Sequence, residues 1–256
     1  MTKYSEKDLI SVIMPSLNSE KFISDAIISV INQSYSNWEL IIVDAQSSDE
    51  TKDIVSKFSF KDKRIRFINN RNDKGPAHAR ANGIRASNGN FVAFLDADDL
   101  WHEKKLEKQL SFMKRNNYSF SYTLFENISE EGESLRVSKS CIHYDFNKTL
   151  RTRGIGCLTV MLERKLLSSD VIKLDSKKHG EDYLWWLSIM KKNINAYGLM
   201  EVLAKYRNLK YGLSSKRLNH YKSLWDSYRN VLGLNIFKTS ISFFLLGISK
   251  LKTKFI

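Results

Sequence analysis

Over its first hundred residues the chain alternates short, continuously apolar runs with segments whose apolar residues recur at helical spacing. "LISVIMP" (9–15) and "WELIIVDA" (38–45) are rich in β-branched residues and end in turn chemistry. Between them Phe22, Ile23, Ala26, Ile27, Val30 and Ile31 recur as one helical face, which predicts a βαβ unit. "SSDE" (47–50) has the form of a capping box, with Ser47 accepting from a backbone N–H and Glu50 reaching back, and predicts a helix to about Phe58. "RIRFINN" (64–70) predicts a third strand, "AHARANGIRAS" (77–87) a helix and "FVAFLD" (91–96) a fourth strand. Strands this continuously apolar are buried on both faces, so the predicted fold class is α/β: a Rossmann-like, mostly parallel sheet flanked by helices.

Beyond residue 99 the pattern changes. "LWHEKKLEKQLSFMKRNN" reads as a helix, while "YSFSYTLFENIS" and "SLRVSKSCIHYDF" alternate like antiparallel strands around an "EEGES" turn. The stretch from about 118 to 155 is where we expect an acceptor to bind. Near the end, "NVLGLNIFKTSISFFLLGISK" (230–250) is strongly apolar with Lys238 in its midst, and "KLKTKFI" follows with three lysines. A spanning helix needs about 20 predominantly apolar residues, whereas an apolar face edged by lysines suits a helix lying in an anionic membrane surface. The competing reading is a tail helix packed on the domain or on a dimer partner.

Composition narrows these readings. A chain of 256 residues, 42% hydrophobic, can bury one large core with an appendage. Two cysteines, Cys141 and Cys157, form neither a disulfide framework nor a C-x-x-C site, which points to a reducing compartment. The opening "MTKYSEKDLISVIM" mixes both charge signs and has no signal-peptide pattern, so a cytoplasmic location is expected. The formal charge of +13 is uneven: from residue 200 onward there are eleven Lys and Arg against two acids, leaving +4 for everything before. Charge gathered beside an apolar tail argues for a membrane surface and against nucleic acid.

In open α/β sheets ligands bind beyond the carboxyl ends of the strands. Pro15 to Asn18, Asp44, and Asp96 and Asp98 of the "DADD" run all fall there. Two carboxylates a few ångströms apart repel unless a cation or proton lies between them, and a hard divalent ion such as Mg²⁺ or Mn²⁺ prefers oxygen ligands and completes its shell with phosphate oxygens. The expected partner is therefore a nucleotide diphosphate. The alternative is that these acids cap the next helix and favour its dipole. Glu181 and Asp182 admit the same helix-start alternative. His78, His102, His143, His179 and His220 lack metal-ligand spacing, and Lys74–Gly75 falls short of a phosphate-binding loop.

Taken together, "SVIMPSLNSEKFISDAIISVINQSYSNWELIIVDAQSSDET", "KGPAHARANGIRASNGNFVAFLDADDLW" and "GEDYLWWL" resemble the family-2 inverting glycosyltransferases of the GT-A fold, closely over 9–103 and more loosely over 155–214. The resemblance implies a nucleotide-sugar-binding half at 1–103 and an acceptor and catalytic half at 104–215, while the apolar and basic pattern marks 216–256 as an expected attachment tail. It also implies roles. Asp44 would bond the uracil ring, with Pro15, Leu17 and Asn18 in the loop lining the base; Arg80, beside Asn82, would help bind the nucleotide. Asp98 would be a direct ligand of Mn²⁺ or Mg²⁺, with Asp96 at the ribose or the metal; Arg207 would approach the diphosphate, and Asp182 would be the catalytic base. The implied reaction moves a sugar from a nucleotide diphosphate sugar, a UDP-sugar first of all, to a glycan or lipid-linked glycan in surface-polysaccharide synthesis, on the inner face of the cell membrane.

Two departures touch the base pocket. Where the family commonly has V-D-D-G-S, this chain has "VDAQS", with Ala45 and Gln46 in place of the second aspartate and the glycine, and Leu17 stands where a tyrosine often precedes the asparagine. Two rival functions share the fold. A sugar-phosphate nucleotidyltransferase would carry a glycine-rich basic loop where this chain has "PSLNSEKF", and a noncatalytic relative would have lost an acid among Asp96, Asp98 and Asp182.

Overall fold

The computed structural model describes residues 8–70, 75–152, 154–173, 181–209 and 224–254, with backbone only at 181 and 249–254. Lys74, His179, His220, the latter part of "YRNLKYGLSS" and the 215/216 boundary lie outside the described residues.

The predicted βαβ alternation is present. Strands β1 (Ile10–Ser16), β2 (Trp38–Asp44), β3 (Ile65–Asn69) and β4 (Phe91–Phe94) are joined by helices α1 (Ile23–Ile31), α2 (Thr51–Lys61) and α3 (Pro76–Ala86). All four strands run parallel, in the order β3-β2-β1-β4. Their side chains divide by strand parity. Val12, Met14, Leu40, Ile42, Phe91 and Ala93 enter one core with α1, whereas Ile13, Ile41, Val43, Val92 and Phe94 enter a second core with α3. That double burial is why these strands read as continuous apolar runs rather than alternating ones.

Pro15 lies inside β1, opposite Val43, rather than opening the loop. The β1–β4 pairing ends at Ile13, so the proline's missing N–H falls where the β4 neighbour has already left the ladder. Gly83 lets α3 approach the sheet closely, since a Cβ there would lie 2.6 Å from Ile13 Cγ2.

The sheet continues through residues that the sequence pattern described less well. Strands β5 (Leu100–Trp101), β6 (Phe120–Ile128), β7 (Ser134–Val137), β8 (His143–Tyr144), β9 (Met161–Glu163) and β10 (Ala196–Arg207) extend it in the order β4-β9-β6-β10-β5, with β7 on β6 and β8 on β10. The long β6 and β10 are parallel to each other, and the short β9 joins β4 to β6 antiparallel to both. The whole is an α/β sheet, parallel in its long strands, with helices on both faces. The predicted antiparallel β6–β7 pair around "EEGES" is present.

Three local expectations are corrected. Leu100 and Trp101 pair with β10 instead of starting a helix, and α4 (Lys105–Asn116) begins later. Phe146 opens a helix, α5 (Phe146–Thr152), which the alternation upstream did not announce. The capping box is not formed. The Ser47 hydroxyl turns to Asp44, helix α2 begins only at Thr51 with no side-chain bond at its cap, and the Thr51 N–H is met by Asp49 Oδ1 at 3.0 Å. The carboxylate of Asp44, buried three residues earlier, competes for the serine more strongly than an exposed helix end does.

Two further helices, α6 (Ser169–Ile172) and α7 (Glu181–Met190), pack against one another. A π-helical turn at Ser227–Val231 leads to the last helix, α8 (Ile236–Lys254). No helix among the described residues is long and apolar enough to cross a membrane. Helix α8 packs along α5, and its Leu246 joins Leu150, Tyr183, Leu187 and Tyr228 in a third core cluster.

Gln46 has φ +62, the left-handed conformation that suits a glycine, the residue commonly found there in the family the sequence resembles. Gln46→Gly should raise stability by about 1 kcal/mol and Tm by roughly 2–4 °C. Thermal unfolding read by circular dichroism checks it.

A second prediction concerns Lys105, a fully buried ammonium 2.8 Å from Gln109 Oε1 and 4.2 Å from the Trp101 ring centroid. Burial lowers its pKa from 10.5 to about 7. Between those values the unfolded chain holds a proton that the native state has released, so stability contributed by this site climbs with pH across that window, by at most about 1.4 kcal/mol per unit. Lys105→Met removes the titration. Its unfolding free energy relative to wild type should fall steadily between about pH 7 and pH 10 in urea titrations.

Candidate functional site

The loops after β1, β2 and β3 are stitched together by short polar side chains. Asp44, fully buried at the end of β2, accepts from the Ser47 hydroxyl at 2.5 Å, the Ser47 N–H at 3.0 Å and the Ser16 hydroxyl at 3.3 Å. Its backbone carbonyl accepts from the Asn70 N–H just past β3 at 2.9 Å. Asn18 takes φ +47, donates its N–H to the Ser47 hydroxyl and accepts the Ser48 N–H on its side-chain oxygen, each at 2.9 Å. Leu17, by contrast, is 52% exposed and open to solvent at the tip of the first loop. The predicted base-pocket residues Pro15, Leu17, Asn18 and Asp44 are thus brought to one edge of the sheet, with the Asp44 carboxylate holding the loops together.

The acidic cluster lies at the carboxyl end of the neighbouring strand, β4. Arg80 of α3 places a nitrogen 2.5 Å from Asp96 Oδ1, and this guanidinium is itself almost fully enclosed. Burial, with Asp96 adding its negative charge, pushes Asp98 up to about 6. Asp99 is raised well above the usual carboxylate range by burial and by the charges of Asp98 and Asp96. Its Oδ1 accepts the Arg207 backbone N–H at 2.9 Å, while its buried Oδ2 has no hydrogen-bond partner. The reading of these acids as caps fails, because α4 starts six residues beyond Asp99.

Arg207, at the end of β10, closes the cluster from the other side. Its Nε donates to the Asp98 carbonyl at 2.9 Å and an Nη to the Glu130 carbonyl at 2.6 Å, and its guanidinium lies 4.7 Å from the Phe22 ring centroid. Glu130 in turn meets Lys21 at 2.5 Å. The turn after β6, the start of α1, the acidic loop and the end of β10 therefore converge on one arginine. Asp99, Phe22 and Glu130 were absent from the sequence-derived site. The third acid of "DADD" was the available signal for Asp99, but nothing local marks Phe22 or Glu130.

Asp182 lies half-buried in the first turn of α7, where its negative charge favours the helix start. Trp185 and Trp186, one turn further on, are fully buried, with ring centroids 6.1 and 5.6 Å from that of Phe94, two residues before Asp96. These rings pack the helix and anchor α7 to the strand that leads into the acids. His78 sits 3.2 Å from Asn70 Nδ2, within a chain of amides, and no cluster of three or more His, Cys, Asp or Glu among the described residues forms a ready-made metal cage.

The donor set fits a hard divalent ion supplemented from outside the protein. Asp96 and Asp98 provide two carboxylates; the raised Asp98 and the orphaned Asp99 oxygen report negative charge that no neighbouring cation fully offsets.

Comparisons with known proteins agree with this geometry. The family described as "Glycosyl transferase family 2" matches residues 11–165, and the chain belongs to it. It is 42% identical over 222 residues to the UDP-Glc:alpha-D-GlcNAc-diphosphoundecaprenol beta-1,3-glucosyltransferase WfgD of Escherichia coli, covering 85% of this chain and 84% of that one. It is 37% identical over 238 residues, 93% of this chain and 94% of the other, to TuaG of Bacillus subtilis (strain 168), a glycosyltransferase provisionally assigned to teichuronic acid biosynthesis. Among solved structures, S. aureus TarS in complex with UDP-GlcNAc superposes with a TM-score of 0.71 at 19% identity, covering 94% of this chain and 71% of that one. The mannosyltransferase PcManGT of Pyrobaculum calidifontis in complex with GDP-Man and Mn²⁺ gives 0.66 at 17% identity, over 88% of this chain and 64% of that one. The fold is that of GT-A enzymes.

Removing the Arg207 side chain leaves the Asp98 and Glu130 carbonyls without their donor and strips a neighbouring positive charge from two buried carboxylates. Arg207→Ala should therefore lower stability by about 1–3 kcal/mol in urea unfolding, whereas Lys21→Ala, which breaks only an exposed pair, should cost under about 1 kcal/mol.

Proposed function

We propose that this family-2 enzyme is an inverting, metal-dependent transferase that moves a sugar from a UDP-sugar to a hydroxyl of a lipid-linked glycan during surface-polysaccharide synthesis. The observation that carries the reading is the acidic trio after β4, half-buried Asp96 and Asp98 with buried Asp99, flanked by Arg80 and Arg207 and lying beside the loops of β1 and β2. A site built this way binds a phosphate-bearing ligand through a cation, because the carboxylates alone would repel it. The likeness to a relative named for UDP-Glc and a diphosphoundecaprenol-linked GlcNAc supports the choice of donor and acceptor class.

The roles follow from the chemistry. Asp98 and Asp96 hold Mn²⁺ or Mg²⁺, which when bound offsets charge on the leaving diphosphate. Arg80, held by Asp96, and Arg207, braced on the acidic loop, add fixed positive charge on either side. Pro15, Leu17, Asn18 and Asp44 frame the base: exposed Leu17 offers an apolar face to the ring, and the buried Asp44 carboxylate keeps the surrounding loops in place. Asp182 accepts the proton of the attacking hydroxyl as the new glycosidic bond forms on the face opposite the breaking one. From an α-linked donor the product is β-linked. The catalytic unit spans 1–215 and sits on the inner face of the cell membrane, held there by the basic tail of 216–256.

Calorimetric titration with UDP, GDP and dTDP, each with and without Mn²⁺, tests the donor site. UDP should bind in a metal-dependent manner, and Asp98→Asn should abolish the metal dependence. Asp182→Asn should keep UDP affinity while transfer from UDP-glucose to a GlcNAc-diphosphate lipid falls by roughly 10²–10⁴-fold. Absence of nucleotide binding by the folded wild type would overturn the reading.

A further inference from the structure

Helix α8 is apolar on two opposite faces. The inner face, with Thr239 and Leu246 essentially inaccessible and Phe243 partly covered, packs on α5 and on the rings of Tyr228 and Trp225. The outer face carries Phe237, Ile241 and Phe244, which are 73%, 40% and 69% exposed. Their spacing of four and three residues puts them on one stripe, diametrically opposite Leu246. Nothing among the described residues covers this stripe, and two phenylalanines this exposed on one line are unfavourable in water.

The charge around the stripe identifies what covers it. Helix α8 contains Lys238, Lys250, Lys252 and Lys254 and no acidic residue. Lys238 lies 5.3 Å from the Phe146 ring centroid, at the edge of the apolar line. A second copy of the chain meeting this face would bring together two helices that hold lysines and no acid, and so offers no charge complementarity. Lys238 beside a shallow apolar stripe, on a helix whose sequence holds four lysines and no acid, suits a surface that is negative outside and apolar beneath. At 19 residues, four of them lysine, and with one face already committed to α5, the helix is unsuited to spanning.

From these observations we infer that the outer face of α8 docks in the headgroup region of an anionic lipid bilayer, inserting Phe237, Ile241 and Phe244 while its inner face stays packed on the domain. The inference rests on the proposed lipid-linked acceptor and adds which residues meet the membrane and how the enzyme is oriented on it. Leu246 shares a core cluster with Tyr183 and Leu187 of α7, the helix that carries Asp182, and Tyr183 is fastened to Tyr228 by a hydroxyl contact of 2.5 Å. Docking through α8 therefore fixes the base-bearing helix relative to the bilayer plane, so an acceptor anchored there meets the site in one orientation.

Co-sedimentation of the full chain with phosphatidylglycerol-containing vesicles and with pure phosphatidylcholine vesicles tests this, with UDP·Mn²⁺ affinity measured on the same samples. Wild type should favour the anionic vesicles and lose binding as salt rises. The double variant Phe237→Glu/Phe244→Glu should bind them at least roughly tenfold more weakly, with unchanged Tm and unchanged nucleotide affinity. Wild type that ignores vesicles while binding nucleotide, or a double variant that binds vesicles as wild type does, would overturn the docking surface alone. A wild-type dimer that the variant converts to monomer, without vesicle binding, would assign the stripe to a second copy and also overturn it. Vesicle binding lost in the variant, from protein that binds no nucleotide, would support the surface and overturn the proposed function instead.

Discussion

Everything at the candidate site depends on holding three carboxylates within four residues at the end of a buried strand. Like charges taken out of water repel strongly, and such a loop persists only if other elements supply positive charge and donors around it. Arg80 approaches from α3 against Asp96, and the end of β10 brings the Arg207 backbone N–H to Asp99 and its side chain to the Asp98 carbonyl. These ties reach across the sheet. For Arg207 to be in place, β10 has to run parallel to β6 and the chain after the acids has to cross to pair Leu100 and Trp101 with β10, while β9 fills the space between β4 and β6. The topology of the second half therefore positions the counter-charges for acids that the first half presents.

What could be read from the sequence follows the range of the interactions involved. The four parallel strands were visible because burial on both faces writes itself locally, as runs such as "LIIV" and "FVAF". Asp44, Arg80, Asp96, Asp98 and Asp182 could be named because each belongs to a short motif. The roles that escaped are set by tertiary neighbours. Ser47 has the right residue type and spacing for a helix cap, yet a buried carboxylate three positions earlier takes its hydroxyl. Leu100 and Trp101 sit in an amphipathic segment but are drawn into pairing with β10, a hundred residues away. Phe22 and Glu130 join the site only because Arg207 reaches them, and no local pattern encodes that.

The tail shows why hydrophobic periodicity alone left two readings open. A membrane-surface helix and a core-packed helix make the same demand, one apolar face, and α8 satisfies it twice. Thr239 and Leu246 face the domain while Phe237 and Phe244 face outward, so the apolar residues nearly encircle the helix and their directions cancel. Burial shows the packed face, with Thr239 and Leu246 against the domain, and leaves the opposite face uncovered among the described residues, which is the face the proposed membrane contact would use.

Helix α7 links the two ends of the molecule. Toward the sheet, Trp185 and Trp186 lock onto Phe94, directly below the acidic loop; away from it, Tyr183 and Leu187 enter the cluster that includes Leu246 of α8. Close-packed aromatic contacts of this kind transmit displacement rather than absorbing it, because interior side chains have little free volume to move into. The base role proposed for Asp182 would need such rigidity, since small misplacements of a proton acceptor are costly to rate. Packing α7 between the strand that leads into the acids and the outermost helix gives Asp182 a fixed relation to both the acidic loop and the outer face of α8.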